Sequence, residues 1–196
     1  MASSERFNAE HSALLVVDVQ GKLLEKIEGR EMLLSNIQRL IKVARLLGIP
    51  VTATEQYPKG LGPSVPEVAE LVPVRTAKTA FHACGCGPVL ETLHGRGVRK
   101  VTLAGIEAHV CIAQTALELL TMGFRVQVAA DAVSSRHAFD RDIALRRLEL
   151  AGAVITTSEA AIFEWTESAD HPQFKAISAL VKEADLARSV APARSL

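Results

Sequence analysis

From His11 to Val19 the chain is apolar at nearly every position until Asp18, the pattern of a strand buried on both faces of a sheet. Further on the period changes. Leu33, Ile37, Leu40, Ile41, Ala44 and Leu47 recur at helical spacing, which predicts a helix over 32–47 closed by Gly48. Ile49 to Thr54 reads as a second strand. Glu55 to Pro73 carries four prolines and two glycines and reads as a long loop with a short helix near Pro66 to Leu71. Thr76 to Phe81 is extended and holds Lys78, Gly87 to Arg96 is a short helix, and Lys100 to Ala104 is an apolar strand. Val110 to Met122 is helical, Arg125 to Ala130 is a strand ending at Asp131, and Asp140 to Ala151 is a helix. A strand at Val154 to Thr156, a helix from Ser158 as N-cap to Glu164, and a helix from Phe174 to Ala187 follow, with a loose Ala-Pro tail behind them.

Strands that alternate with helices along the whole chain predict a doubly wound parallel α/β sheet, helices on both faces, in three layers. No repeat or shift in composition divides it, so one domain over 1–196 is expected, its ordered core spanning about residues 10–187. Only 4% of residues are aromatic against 48% hydrophobic, so Leu, Val, Ile and Ala must fill the core, as in sandwiched parallel sheets. Lys plus Arg equals Asp plus Glu at 22 each, which recommends neither a nucleic acid nor a membrane surface as partner. No apolar run approaches the ~18 residues of a membrane span. Met1 to Glu10 is polar, without the apolar centre of a secretory signal, and three cysteines make no disulfide framework. A cytoplasmic location and free thiols are therefore expected.

Cys111 then stands out. It falls where an apolar strand turns into an amphipathic helix, a setting whose backbone N–H groups favour a thiolate. Asp18 and Lys78 also fall at strand ends, where parallel sheets place their ligands. An acid, an amine and a thiol on one sheet edge supply a base, electrostatic support and a nucleophile. A backbone amide at Cys111, joined by that of Glu107 or Ala108, would receive an oxyanion. Each residue taken singly also has a plainer reading: a small core hydrophobe, a turn former and a solvated cation.

The segments that carry these residues are Leu14-Leu15-Val16-Val17-Asp18-Val19-Gln20, Ala77-Lys78-Thr79-Ala80-Phe81 and Gly105-Ile106-Glu107-Ala108-His109-Val110-Cys111. With them the chain resembles the isochorismatase-like cysteine hydrolases over nearly its full length. Thr54-Glu55-Gln56-Tyr57-Pro58-Lys59-Gly60-Leu61-Gly62, Asp131-Ala132-Val133-Ser134-Ser135-Arg136, Thr157-Ser158-Glu159 and His171-Pro172-Gln173-Phe174-Lys175 make it most similar to the branch of isochorismatase domain-containing proteins. The resemblance implies a six-stranded parallel sheet, an Asp18–Lys78–Cys111 triad and a non-proline cis peptide at Ile106–Glu107. It also implies a homo-oligomer, and a small-molecule pocket to which Gln20, Tyr57 and Phe81 contribute. Having cysteine at the nucleophile position implies amidase-type chemistry, with a thioester, rather than vinyl-ether cleavage. The metal-binding Asp and His pair of nicotinamidases has no counterpart in Glu55-Gln56-Tyr57-Pro58-Lys59, so neither metal nor cofactor is expected.

The six histidines show no ligand spacing, and His109, two residues from Cys111, ranks below Asp18 as a base. Cys84-Gly85-Cys86 reads as small residues in a tight loop. Two other functions compete with a hydrolase: a scaffold that keeps the fold without turnover, and a thiol redox sensor using Cys111 with Cys84 and Cys86. The turn after the first strand, Asp18-Val19-Gln20-Gly21-Lys22, is not a glycine-rich phosphate loop, which sets a dinucleotide-dependent dehydrogenase aside.

Overall fold

A computed structural model of the chain describes residues 6–95 and 97–190. Six strands, β1 (Ser12–Val17), β2 (Val51–Gln56), β3 (Arg75–Lys78), β4 (Lys100–Ile106), β5 (Arg125–Ser134) and β6 (Val154–Thr156), make one sheet. Every neighbouring pair runs parallel, in the order β3-β2-β1-β4-β5-β6. Around it lie α1 (Gly21–Leu24), α2 (Arg30–Leu46), α3 (Pro58–Leu61), α4 (Pro66–Ala69), α5 (Gly87–His94), α6 (Ala113–Thr121), α7 (Ala138–Leu150), α8 (Ser158–Thr166) and α9 (Phe174–Val190). The alternating patterns in the sequence thus fold as the expected doubly wound sheet.

β1 is buried along its whole length because its side chains alternate between two apolar layers. Ala13, Leu15 and Val17 pack with Val89 and Leu93 of α5, Leu119 of α6 and Leu148 of α7. Leu14 and Val16 pack on the other face with Ile37 and Leu40 of α2, Trp165 of α8 and Ile177 of α9. The chain winds outward from β1 to β3, returns to place β4 beside β1, and then winds the other way. The strand order therefore reverses between β1 and β4, the position where open parallel sheets leave a crevice at their carboxyl ends. Gly105 makes the close contact there: it pairs with Val17 at a φ of +120°, and a Cβ would stand 2.1 Å from the Val17 carbonyl oxygen.

Several boundaries move, each for a physical reason. β2 continues to Gln56, and Tyr57 N–H donates to the Lys78 carbonyl, so polar residues read as loop belong to the sheet. β3 stops at Lys78 rather than Phe81. β5 runs past Asp131 to Ser134, its register with β4 shifting between Leu103 and Gly105. Asp131 is consequently inside the strand, where its carboxylate accepts from the Ser158 backbone N–H (2.6 Å) and hydroxyl (2.7 Å). With Ser158 so engaged, the N-cap of α8 is Thr157, whose side chain accepts from Ala160 N–H at 3.2 Å. α1 and α3, one turn each, went unread in the sequence. Arg96, at the expected end of α5, lies outside the described residues, as does the tail from residue 191 on; α9 itself continues to Val190. No helix among the described residues is long and apolar enough to cross a membrane.

Candidate active site

Asp18 leaves the end of β1 in the left-handed region, at φ 54°, a conformation that costs an aspartate less than most side chains. Its N–H still donates to the Thr54 carbonyl, and its side chain is fully buried. One carboxylate oxygen, Oδ1, accepts from the Thr54 hydroxyl at 2.8 Å. The other, Oδ2, stands 2.7 Å from Lys78 Nζ as an ion pair off the line of a hydrogen bond. That oxygen keeps a lone pair for a further proton.

Lys78 reaches Asp18 from two strands away. Its ammonium, 1% exposed, also donates to Gln56 Oε1 (2.6 Å) and to the carbonyls of Phe81 (2.9 Å) and Ala80 (3.3 Å). Gln56 in turn donates to the Thr79 carbonyl at 2.8 Å. A buried lysine surrounded by acceptors and one carboxylate has its polar groups satisfied, and the Asp18–Lys78 pair is compensated from several sides.

Cys111 closes the group. β4 ends in a cis peptide between Ile106 and Glu107, and Ala108–Ile112 form a π-helical turn leading into α6. Val110 and Ile112 N–H groups both donate to the Glu107 carbonyl at 3.1 Å, which fixes the turn. The Cys111 thiol lies close enough to Asp18 and Lys78 to feel both charges, and is 6% exposed. Burial, reinforced by the negative charge of Asp18 and opposed by the Lys78 ammonium, pushes the thiol up to about 12. Of the two routes open from the sequence, a helix terminus that favours a thiolate and a base that takes the thiol proton, this environment favours the second, because burial and the adjacent carboxylate oppose the thiolate. The resting group is a neutral thiol beside a charged acid–base pair.

Surrounding groups hold this turn. The Glu107 carboxylate, nearly buried, accepts from Arg136 Nε at 2.9 Å and from Arg136 N–H at 3.1 Å. His109 Nδ1 is 2.9 Å from the Ser135 hydroxyl, so its ring is engaged with the end of β5 rather than with Cys111. Thr54, Gln56, Ser135 and Arg136 fall in segments that carry the family resemblance, but no site role follows from the sequence for any of them. For Thr54 and Gln56 the available signal was polar side chains closing an otherwise half-apolar strand.

A cleft of about 600 Å³ opens beside Lys78, lined by Tyr57, Lys59, Lys78, Cys86 and Pro88 among others; Asp18 and Cys111 lie behind Lys78, outside its lining. Tyr57 is in the wall of this cleft. Gln20 and Phe81 are not. Gln20 is completely buried: it accepts from Gln56 N–H at 2.8 Å and donates to the Gln56 (3.0 Å) and Gly62 (2.6 Å) carbonyls, leaving nothing to face a ligand. Phe81 is half exposed and absent from the lining; its carbonyl, not its ring, serves the site through Lys78.

Cys84 and Cys86 are buried in the same apolar layer as Cys111, and all three thiols are free. Burial pushes Cys84 up to about 12, with Glu118 and Cys86 adding to it. Cys86 is raised as well, by burial first; Lys78 opposes this and Asp18 supports it. Among the described residues no three His, Cys, Asp or Glu side chains are placed to hold a metal ion.

Comparison with known proteins agrees with this architecture. The isochorismatase domain profile matches residues 12–160. Isochorismatase domain-containing protein 2 of Homo sapiens is 45% identical over 174 residues, covering 88% of this chain and 83% of that protein. Among solved structures, the MAR1 ribonuclease of Caenorhabditis elegans superposes with a TM-score of 0.88 at 42% identity, covering 98% of this chain and all of that one. YcaC of Pseudomonas aeruginosa, determined with hexane-2,5-diol and covalent acrylamide, gives 0.84 at 26% identity over 95% and 98% of the two chains. YcaC of Escherichia coli, an octameric hydrolase of unknown specificity, shares the fold with a TM-score of 0.86 at 23% identity over 96% and 97%. With the domain profile spanning the whole sheet and relatives matched nearly end to end, the chain belongs to the isochorismatase family.

Proposed function

We propose that the protein is a cysteine hydrolase that cleaves an amide-type C–N bond of a small molecule. The observation carrying this reading is the Cys111 thiol set against the buried Asp18–Lys78 pair. As Cys111 Sγ attacks the substrate carbonyl carbon, its proton passes to Asp18 Oδ2. Lys78 holds the carboxylate in place and offsets the charge on sulfur. The backbone N–H of Cys111, with that of Glu107 or Ala108, receives the oxyanion, those of Val110 and Ile112 being spent on the Glu107 carbonyl. Asp18 returns the proton to the leaving nitrogen, the C–N bond breaks, and a thioester remains. Water deprotonated by Asp18 then attacks the thioester carbon, releasing the acid and restoring the thiol.

Because the resting thiol is neutral, proton transfer accompanies attack rather than preceding it. A 600 Å³ cleft suits a small substrate. Covalent acrylamide in the Pseudomonas protein, an alkene electrophile that nucleophilic side chains add to, supports a reactive nucleophile on this fold. We also infer self-association, on the octameric Escherichia coli protein, and a cytoplasmic location, on three free thiols. The test is ammonia release from a panel of small amides and carbamoyl compounds, with acid quenching and intact mass to trap an acyl group on Cys111. Full turnover in Cys111→Ala would sink the reading.

The name of the Caenorhabditis elegans protein favours a second reading, RNA cleavage. The balanced charge and a cleft whose Lys78 is already paired with Asp18 weigh against it. Cleavage of single-stranded RNA that Cys111→Ala abolishes, with no ammonia from any amide, would replace the first reading with this one.

A further inference from the structure

We propose that Thr115 is a positioning residue: it ties the helix that continues from Cys111 to the strap that holds the Lys78 ammonium, and so sets amine against thiol. The strap is residues 79–86, the connection between β3 and α5, which is neither helix nor strand. Backbone in such a segment has no ladder to hold it, so its polar groups need partners elsewhere. At the near end those partners belong to the site. The Thr79 carbonyl accepts from Gln56, and the carbonyls of Ala80 and Phe81 accept from Lys78. At the far end two bonds reach α6, and both end on Thr115. Ala83 N–H donates to its hydroxyl at 3.0 Å, and the Cys84 thiol stands 3.8 Å from its carbonyl oxygen.

Ala83, Cys84 and Cys86 also pack in the apolar layer that holds Ile112, Ala113 and Ala116 of the facing helix. Apolar contact is non-directional, so it presses the strap down without fixing where along the helix it lies. The directional bond to the Thr115 hydroxyl fixes that register. Thr115 and Ala83 are both completely buried, so an isosteric side chain lacking the hydroxyl would leave the Ala83 N–H unpaired. Thr115 follows Cys111 by four residues, about one helical turn, so anchor and nucleophile ride on one continuous piece of helix. Lys78 is the cation that opposes burial and Asp18 in raising the Cys111 thiol. When the strap slips, the ammonium follows its carbonyl acceptors and the sulfur loses part of that support. Asp18 grips the ammonium from the other side, so it shifts rather than leaves. The same strap supplies Thr79, Ala80, Gly85 and Cys86 to the wall of the 600 Å³ cleft. One hydroxyl that meets no substrate thus sets both the amine and the cleft wall against the thiol.

Iodoacetamide labelling of Cys111 in the full chain, followed by peptide mass at a fixed pH, tests this. Thr115→Val slows labelling ~10-fold, the loss of thiolate that a rise of one pK unit brings. Thr115→Ser keeps the hydroxyl and restores the wild-type rate. Val126→Ala, in the same apolar layer but at the amino end of β5, also lowers the urea midpoint yet leaves labelling unchanged. Should Thr115→Val fail to fold, Thr115→Ala replaces it, since it leaves room for a water at the Ala83 N–H. On an amide that the wild type turns over, kcat falls and KM rises together, because the strap serves both amine and wall. Labelling that is unchanged or faster in the folded variant, or a slow rate that Thr115→Ser does not restore, would overturn the proposal. The bearing on turnover rests on Cys111 being the nucleophile proposed above. If no amide is hydrolysed, that reading fails while the labelling still decides the role of Thr115.

Discussion

Replacing Asp18 by asparagine separates two roles that the carboxylate combines. In the folded protein Cys111 is pushed from an ordinary value of 9.0 up to about 12, with burial as the leading cause and the Asp18 charge next. Three pK units correspond to about 4 kcal/mol of preference for the neutral thiol. A unit charge at about 4 Å in a medium of effective dielectric near 20 contributes about 4 kcal/mol, and Lys78 cancels much of that. Asp18→Asn therefore lowers the thiol pKa by about one to two units, because burial remains while the repelling charge is gone and Lys78 is not. Turnover collapses in the same variant, since no base is left to take the thiol proton. Thiolate absorbance near 240 nm, titrated as a difference from Cys111→Ala, reads the first effect; ammonia release reads the second. In wild type the Cys111 step is absent below about pH 10. A wild-type step near neutrality, or a step that moves up in Asp18→Asn, would refute the reasoning.

Three further outcomes follow from the same geometry. Between pH 9.0 and about 12 the unfolded chain releases the Cys84 proton while the folded chain retains it, so stability falls as pH rises across that window. The slope contributed by Cys84 is about 1.4 kcal/mol per pH unit, and urea midpoints of Cys84→Ala, compared with wild type over this range, should lack it. Thr54→Val removes the donor 2.8 Å from Asp18 Oδ1 and costs about 1.5–3 kcal/mol in urea unfolding, with a fall in kcat; an unchanged kcat would show that Thr54 does not position the base. Gly105→Ala drives a Cβ to 2.1 Å from the Val17 carbonyl oxygen, so its loss of stability exceeds about 4 kcal/mol; a thermal midpoint within a few degrees of wild type contradicts the close β1–β4 approach.

The sheet was legible because its cause is local and repetitive. A strand apolar on both faces, like Leu14 to Val17, has few homes other than the centre of a parallel sheet. Asp18 and Cys111 were visible because each follows such a run, whereas Lys78, in the polar strand Arg75–Lys78, was visible through its strand-end position and the family resemblance. The partners were not, because they depend on register: that Thr54 faces Asp18 follows from Val17 pairing with Thr54 across β1 and β2, which no periodicity reveals. Gln20 was misassigned for the converse reason. Its nearness in sequence to Asp18 suggested the pocket, whereas its amide turns toward the backbone of Gln56 and Gly62. Whether Cys111 rests as thiol or thiolate was left open because the helix terminus and the carboxylate push in opposite directions, and the burial that tips the balance belongs to the folded chain.

Gln20 has a wider meaning for how this site varies. Its single amide bonds Gln56 at one end of the cleft wall and Gly62 at the other, so the five residues between them, Tyr57 to Leu61, form an insert stretched between two fixed posts. Those posts are anchored to the strand that carries Asp18, not to the insert itself. Side chains within the insert can therefore be exchanged without disturbing the position of the base. On the proposed reading, a chain built this way would change what it recognises by replacing a short cassette, while the acid–amine pair behind it stays where it was.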